Sequence, residues 1–214
     1  MRVVIAGGHG QIARLLEKVL ADRGDSAVGI VRNPDHVGDV EAAGAEAVVL
    51  DLEQADVADL TDVVKGADAV MFAAGGGPNS GAARKETVDR GAAVLLAEAA
   101  EQAGVRRYVM ISSMGTDKAD PDSDDVFQVY LRAKKAADDD LRSRDLDWTV
   151  VRPGRLTDDP PSGRIQVGTL PRGEISRADV AAVLAAVIDQ DATIGKTFDL
   201  LAGHQTIEAA LIGL

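Results

Sequence analysis

Short apolar runs alternate with amphipathic stretches along almost the whole chain. Val3-Val4-Ile5-Ala6 is unbroken and largely β-branched, and reads as a strand covered on both faces. Ile12, Leu15, Leu16, Val19 and Leu20 then recur at helical spacing, so a helix opens where three intervening glycines end. The same alternation predicts strands over 27–31, 47–50, 69–74, 108–111 and 148–151, with helices over 57–64, 84–103 and 127–143. After these come one more amphipathic helix, carrying Val180, Val183, Leu184, Val187 and Ile188, and a short strand over 197–201. Asn33 or Asp35 caps a helix that has Pro34 in its first turn, and Lys65-Gly66 and Gly104 are helix stops. Ser176 caps the last helix with Asp179 in the reciprocal place, and Pro160 to Gly163 is an irregular connection.

Strands that alternate with helices predict an α/β fold with a doubly wound parallel sheet of order 3-2-1-4-5-6. Helices cover both faces, a short C-terminal extension follows, and ligands belong at the carboxyl ends of strands 1 and 4. No internal repeat or low-complexity linker breaks the pattern, so residues 1–214 read as a single domain.

Composition narrows the function. The chain has 214 residues, 46% of them hydrophobic, enough for one well-filled core. It has no cysteine, which excludes disulfides and thiolate metal sites and suits a reducing compartment. A net charge of -12 argues against nucleic-acid or anionic-membrane partners. No apolar run approaches a membrane span and no leader precedes the first strand, so a cytoplasmic location is expected.

The chemistry begins at the first turn. Strand, glycine turn and helix together form an anion-binding device, because the helix start offers unpaired N–H groups and a partial positive charge. Gly8-x-Gly10-x-x-Ala13 fits a dinucleotide fingerprint, and Gly7-x-x-Gly10-x-x-Ala13 fits its wider form. A glycine turn in this place also serves topology alone. At the end of strand 2, where an acid would meet ribose hydroxyls, the chain has Arg32-Asn33. A guanidinium there suits a 2′-phosphate, and so NADP over NAD. Asp51, just past strand 3 and before Leu52, either accepts from an adenine amino group or caps the next turn. Small residues from Ala73 through Gly75 to Gly81 let a ligand lie against the backbone, or simply make a loose loop.

Tyr130 and Lys134 stand four apart on one helix face, after a strand that ends in Ser112-Ser113. A phenol ionises near pH 10, and a neighbouring ammonium lowers that value enough for acid–base work. The same pattern also fits an aromatic on a core stripe beside an exposed lysine. Asp120-x-Asp122-x-Asp124 lacks the glycine and the glutamate of a calcium loop, and that segment reads as a solvated, mobile lid. Gly195-Lys196-Thr197 leads into a strand and is no phosphate loop.

With these motifs the chain resembles the short-chain dehydrogenase/reductase superfamily, most closely its compact atypical members, many of which are labelled NAD(P)-dependent or sugar epimerases. The likeness spans nearly the whole chain. It rests on Gly7-x-x-Gly10-x-x-Ala13, Asp51-Leu52, Ser112-Ser113, Tyr130-x-x-x-Lys134 and Arg152-Pro153-Gly154. It implies a Rossmann-like domain in which Tyr130 is the acid–base, Lys134 holds the nicotinamide ribose and tunes Tyr130, and Ser113 orients the substrate. Asp89 takes a place where the superfamily often has asparagine, so a water-linked proton relay through it would work differently. The cofactor residues implied are Gly7, His9, Gly10, Gln11, Ile12, Arg32, Asn33, Asp51, Leu52, Ala73, Ala74, Gly75, Lys134 and Pro153.

The expected function is an NADP-dependent oxidoreductase, with NAD as the lesser cofactor, acting on a small carbonyl or alcohol. Three readings compete: an epimerase using the same residues, a non-catalytic NADP(H) sensor, and a flavin or pigment reductase that needs no protein acid. A sensor needs none of Ser113, Tyr130 and Lys134. Only about sixty residues follow strand 6, too few for the substrate domain with which extended relatives bind nucleotide sugars. A monomer or a homodimer is expected.

Overall fold

The computed structural model describes residues 1–77 and 80–214; Pro78 and Asn79, inside the predicted glycine loop, lie outside the described residues. β1 (Arg2–Ala6) leads into α1 (Gln11–Asp22) and β2 (Ser26–Val31), and a 3-10 turn at Pro34–His36 opens α2 (Val37–Ala42). β3 (Glu46–Val49), α3 (Val57–Val64) and β4 (Ala69–Phe72) follow. Six strands, including β5 (Arg107–Ile111) and β6 (Asp147–Pro153), lie parallel in the order β3-β2-β1-β4-β5-β6. This is the predicted doubly wound α/β sheet.

Alternating side chains of one buried strand feed two cores. Val3 and Ile5 of β1 join Leu16 and Leu20 of α1 on one face. Val4 and Ala6 join Leu60 and Val64 of α3 on the other. An unbroken apolar run is what a strand buried on both sides requires.

The helix expected over 84–103 is not uniform. It begins as α4 (Ala82–Arg84), widens into a π-helical stretch at Lys85–Ala92, and continues as α5 (Ala93–Ala103). Such widened turns are rare, and hydrophobic periodicity does not reveal them. This one carries two buried charged side chains, Lys85 and Asp89, on its inner side.

The C-terminal part is more than an appended helix and strand. After α6 (Val126–Arg142) and β6, the chain forms β7 (Arg155–Thr157), β8 (Arg164–Gly168), β9 (Glu174–Ser176) and α7 (Arg177–Ile188). β10 (Lys196–Ala202), β11 (Gln205–Thr206) and α8 (Ile207–Ile212) complete it. β10 extends the sheet parallel to β6, while β8 and β11 add antiparallel strands, giving nine in all. β7 and β9 pair separately. Strands this short, flanked by Pro160-Pro161 and charged residues, leave too little apolar pattern to read.

One local expectation also changes. Ser176 Oγ accepts from the Asp179 N–H at 3.0 Å, as a cap should, but the Asp179 carboxylate does not close the box. It accepts from the Ser176 hydroxyl at 3.0 Å and from the Ser162 and Gly163 N–H groups at 3.0 and 2.8 Å, and so anchors the irregular connection. The reciprocal box forms at Asp56 and Asp59. The acidic loop before α6 is solvated as expected, with its aspartates exposed, and it is anchored by Arg132, which donates to the carbonyls of Asp120 and Ser123 at 2.6 and 2.8 Å.

Arg107 is buried under the C-terminal end of α7. Its Nε donates to Ile188 O, Nη1 to Asp147 O and Thr149 Oγ1, and Nη2 to Val187 O and Thr193 Oγ1. Burial lowers its pKa to about 10, partly opposed by Asp147, Asp191 and Asp189. Among the described residues no helix is long and apolar enough to cross a membrane.

Candidate functional site

Gly7 and Gly8 sit where chain meets chain. Gly7 has φ +88°, and a Cβ there would fall 2.6 Å from Ala74 Cα, on the turn that leaves β4. A Cβ at Gly8 would fall 2.6 Å from Gly29 Cα in β2. Gly10 then caps α1 with no side-chain hydrogen bond, and the first turn of α1 carries no acid. The positive end of the helix is therefore not answered from within, and it opens onto a groove at the carboxyl ends of β1 and β4.

That groove has two chambers sharing Gly10, Ala73, Ala74 and Gly75. The smaller is about 320 Å³. Gly7, His9, Arg32, Asn33, Asp51 and Leu52 all border it, as the sequence analysis expected. His36, Glu53 and Arg84 border it too, and nothing in their spacing announced them. Glu53 holds both guanidinium groups, with Arg32 Nη1 at 3.2 Å and Arg84 Nη2 at 3.0 Å. A hydrogen bond from Thr87, and then the charge of Arg84, hold the Glu53 carboxyl below its ordinary range. His9 stacks on His36 with ring centroids 3.5 Å apart, and its Nε2 lies 2.7 Å from Asp39 Oδ2. Two expected ligand residues are engaged locally: Asn33 accepts from the Asp35 N–H at 3.0 Å, and Asp51 from the Glu53 N–H at 3.1 Å. For Asp51, the capping role is the one the structure shows.

The larger chamber is about 720 Å³. Gln11 and Ile12 enter it from α1, Asp89 from the π-helical stretch, and Tyr130 and Lys134 from α6. Ser113 and Pro153 enter from the ends of β5 and β6. The topology thus brings together all four proposed catalytic side chains, from three elements far apart in sequence. Ile12, Val126, Phe127 and Leu156 give the chamber an apolar wall.

Within the chamber the charges differ from expectation. Lys134 is held by a carboxylate and two carbonyls. Its Nζ lies 3.6 Å from Asp89 Oδ1 and donates to Ile111 O at 3.1 Å and Ala74 O at 3.4 Å. Burial pulls the Lys134 pKa down, against the pull of Asp89 and Asp138. Tyr130 moves in the direction opposite to the one expected. Burial first, then the Asp89 charge, push it up to about 12, with the Ser113 hydroxyl opposing. Ser113 Oγ also donates to Met114 O at 3.3 Å. Lys85, which no motif in the sequence marks, has its Nζ 5.4 Å from the Tyr130 ring centroid and donates to Gly77 O at 2.6 Å.

Arg152, beside Pro153, is structural. Its Nη2 lies 2.8 Å from Asp138, which is wholly buried, and its Nη1 is 2.5 Å from Asp117. Burial raises the Asp138 pKa and Arg152 opposes that rise.

The chain is similar to known proteins over its whole length. A family model described as NAD(P)H-binding matches residues 7–191. A Bacillus subtilis protein named as an uncharacterized sugar epimerase, YhfK, is 35% identical over 213 residues, 99% of each chain. A solved structure from Bacillus halodurans, assigned by its name to the NAD-dependent epimerase/dehydratases, is 37% identical with a TM-score of 0.92, and both chains are covered completely. The oxidoreductase YlbE of Lactococcus lactis is 27% identical, with a TM-score of 0.87 over 100% of this chain and 96% of its own. Glycine turn, two-chambered groove and full-length likeness agree: the chain belongs to the NAD(P)H-binding family, among the Rossmann-like proteins of the atypical short-chain dehydrogenase/reductase type.

Proposed function

We propose that the chain is an NADP-dependent oxidoreductase acting on a small carbonyl or alcohol, with Tyr130 as the group that gives or takes the proton. The observation that carries this reading is that Ser113, Tyr130 and Lys134 border one chamber, directly beside the uncapped start of α1. A nicotinamide dinucleotide held along the groove supplies a hydride donor or acceptor. Gly10, Gln11 and Ile12 hold the pyrophosphate through the first-turn N–H groups of α1. Ala73, Ala74 and Gly75 let the chain of phosphates and riboses pass close to the backbone. Arg32 and Arg84, drawn together by Glu53, bind the 2′-phosphate and set the preference for NADP over NAD.

Tyr130 stays protonated at neutral pH in its buried place, which suits donation to an oxygen that becomes an alkoxide. Ser113 orients that oxygen. Lys134, fixed by Asp89 and two carbonyls, presents an ammonium to the ribose and the phenol together. The test is a titration with NADPH and NADH, followed by carbonyl reduction by the NADPH complex. Tighter binding of NADPH, and loss of turnover with retained affinity in Tyr130→Phe, is the expected result. Turnover unchanged in Tyr130→Phe overturns the acid–base role, and absence of dinucleotide binding overturns the reading as a whole.

A further inference from the structure

Three cations face the larger chamber, and two of them are answered by carboxylates. Lys134 has Asp89 at 3.6 Å, and Arg177 has Asp158 at 2.7 Å. Lys85 differs. It is only 6% exposed, yet among the described residues no carboxylate lies within 4.0 Å of its Nζ. Among the described residues it meets one neutral acceptor, Gly77 O at 2.6 Å, and the face of the Tyr130 ring. An ammonium has three donors, and among the described residues one of them is used. Holding a covered charge without a counter-charge is costly, and a fold tolerates it where an anion is to be received.

The wall beside it has the opposite character. Val126 and Phe127 are 41% and 58% exposed although apolar, and with Ile12 and Leu156 they border the same chamber as Lys85 and Tyr130. A polyol substrate would gain little from such a wall, whereas an aryl or alkyl body would cover it. We propose that the site takes apolar oxo acids: Lys85 receives the carboxylate, the Val126–Phe127 side covers the hydrocarbon, and Tyr130 faces the ketone. This rests on the oxidoreductase reading above and names its substrate class. The reaction is then the reduction of an oxo acid to a hydroxy acid. Hydride passes from NADPH to the carbonyl carbon, the C=O π bond opens, the Tyr130 proton goes to the oxygen, and NADP⁺ is the oxidised product. Tyr130 afterwards regains a proton from water. Lys85 lies on the π-helical stretch with Asp89, one turn apart, so the widened helix places one lysine-facing carboxylate and one carboxylate-facing lysine in the same chamber.

The experiment compares 3-benzoylpropionate, its methyl amide and glyceraldehyde, by calorimetric binding to the NADP⁺-loaded protein and by rate of NADPH oxidation. The acid is expected to bind about tenfold or more tighter than the amide. Lys85→Met removes most of that preference while leaving the affinities for the amide and for NADPH nearly unchanged, and Lys85→Arg retains it. Equal binding of acid and amide, or preference for glyceraldehyde, overturns the proposal and leaves the oxidoreductase reading standing. Weakened NADPH binding in Lys85→Met also overturns it, by assigning the ammonium to the dinucleotide. Failure of the parent protein to bind either dinucleotide overturns both.

Discussion

Asp89 and Lys134 form a buried ion pair across two elements, with Oδ1 3.6 Å from Nζ and the side chains 1% and 5% exposed. The second Asp89 oxygen accepts from the Gly76 N–H at 3.0 Å, so one carboxylate ties α6 to the loop after β4. Removing either charge strands the other in a place where water cannot replace it. Asp89→Asn is expected to cost about 3 kcal/mol of stability in urea unfolding, and Lys134→Met a similar amount. The double variant should lose much less than the sum, because no charge is left alone. Additive losses would show that the two do not interact.

Arg152 and Arg106 give a contrast in what an ion pair contributes. Arg152 answers the wholly buried Asp138, and Arg152→Met is expected to cost about 3–5 kcal/mol. Arg106 meets Asp145 and Asp147 at the surface with half of its side chain exposed, and Arg106→Ala is expected to leave stability nearly unchanged. Urea unfolding at neutral pH measures both.

Glu17 predicts a pH dependence. It lies wholly buried on α1 beneath the glycine turn, with both oxygens lacking a hydrogen-bond partner among the described residues. Burial raises its pKa from 4.5 to about 8, and the Arg14 charge opposes this. The folded state therefore binds this proton more tightly than the unfolded chain does. Its contribution to stability is complete below about pH 4.5, declines between pH 4.5 and 8, and is gone above that window. Glu17→Gln keeps the neutral form, so its stability relative to the parent should rise across that window. A constant difference in urea unfolding from pH 5 to 9 would contradict this.

Arg84 offers the sharpest test of cofactor choice, because it was absent from the sequence argument. Arg84→Ala is expected to weaken NADPH binding about tenfold and to leave NADH binding nearly unchanged, as is Arg32→Ala. Calorimetric titration of each variant with both dinucleotides separates this from a general loss of the site, which would lower the two affinities equally.

The glycine turn is sensitive to a single methyl group. A Cβ at Gly8 would meet the backbone of Gly29 at 2.6 Å, in a place where neither strand nor helix can retreat. Gly8→Ala is expected to cost about 1–3 kcal/mol and to weaken NADPH binding. Gly24 has open space around the same position, so the effect of Gly24→Ala should come from its positive φ alone and spare the cofactor.

What the sequence reveals follows from where side-chain pattern decides structure. β1, the turn at Gly7 to Gly10 and the Tyr130–Lys134 pair are local, so spacing alone predicts them. The partners of those residues are not local. Asp89 reaches Lys134 across 45 positions because the helix widens at Lys85–Ala92, and no periodicity signals i→i+5 bonding. Arg84 and Arg32 meet on Glu53, which only the closed sheet brings between them. Tyr130 was expected to ionise more easily for having a lysine one turn away, but burial decides otherwise, and burial is a property of the assembled chamber.

Arg107 couples the two ends of the sheet's history. Its guanidinium belongs to β5, in the nucleotide-binding half, yet three of its five acceptors come from residues 187–193. Peeling that segment away would strip the acceptors from Nε and Nη2 and leave only those on Nη1, so the buried cation ties the stretch after α7 to the middle of the sheet. Cutting the chain after α7 should thus loosen the centre of the sheet and not its edge alone.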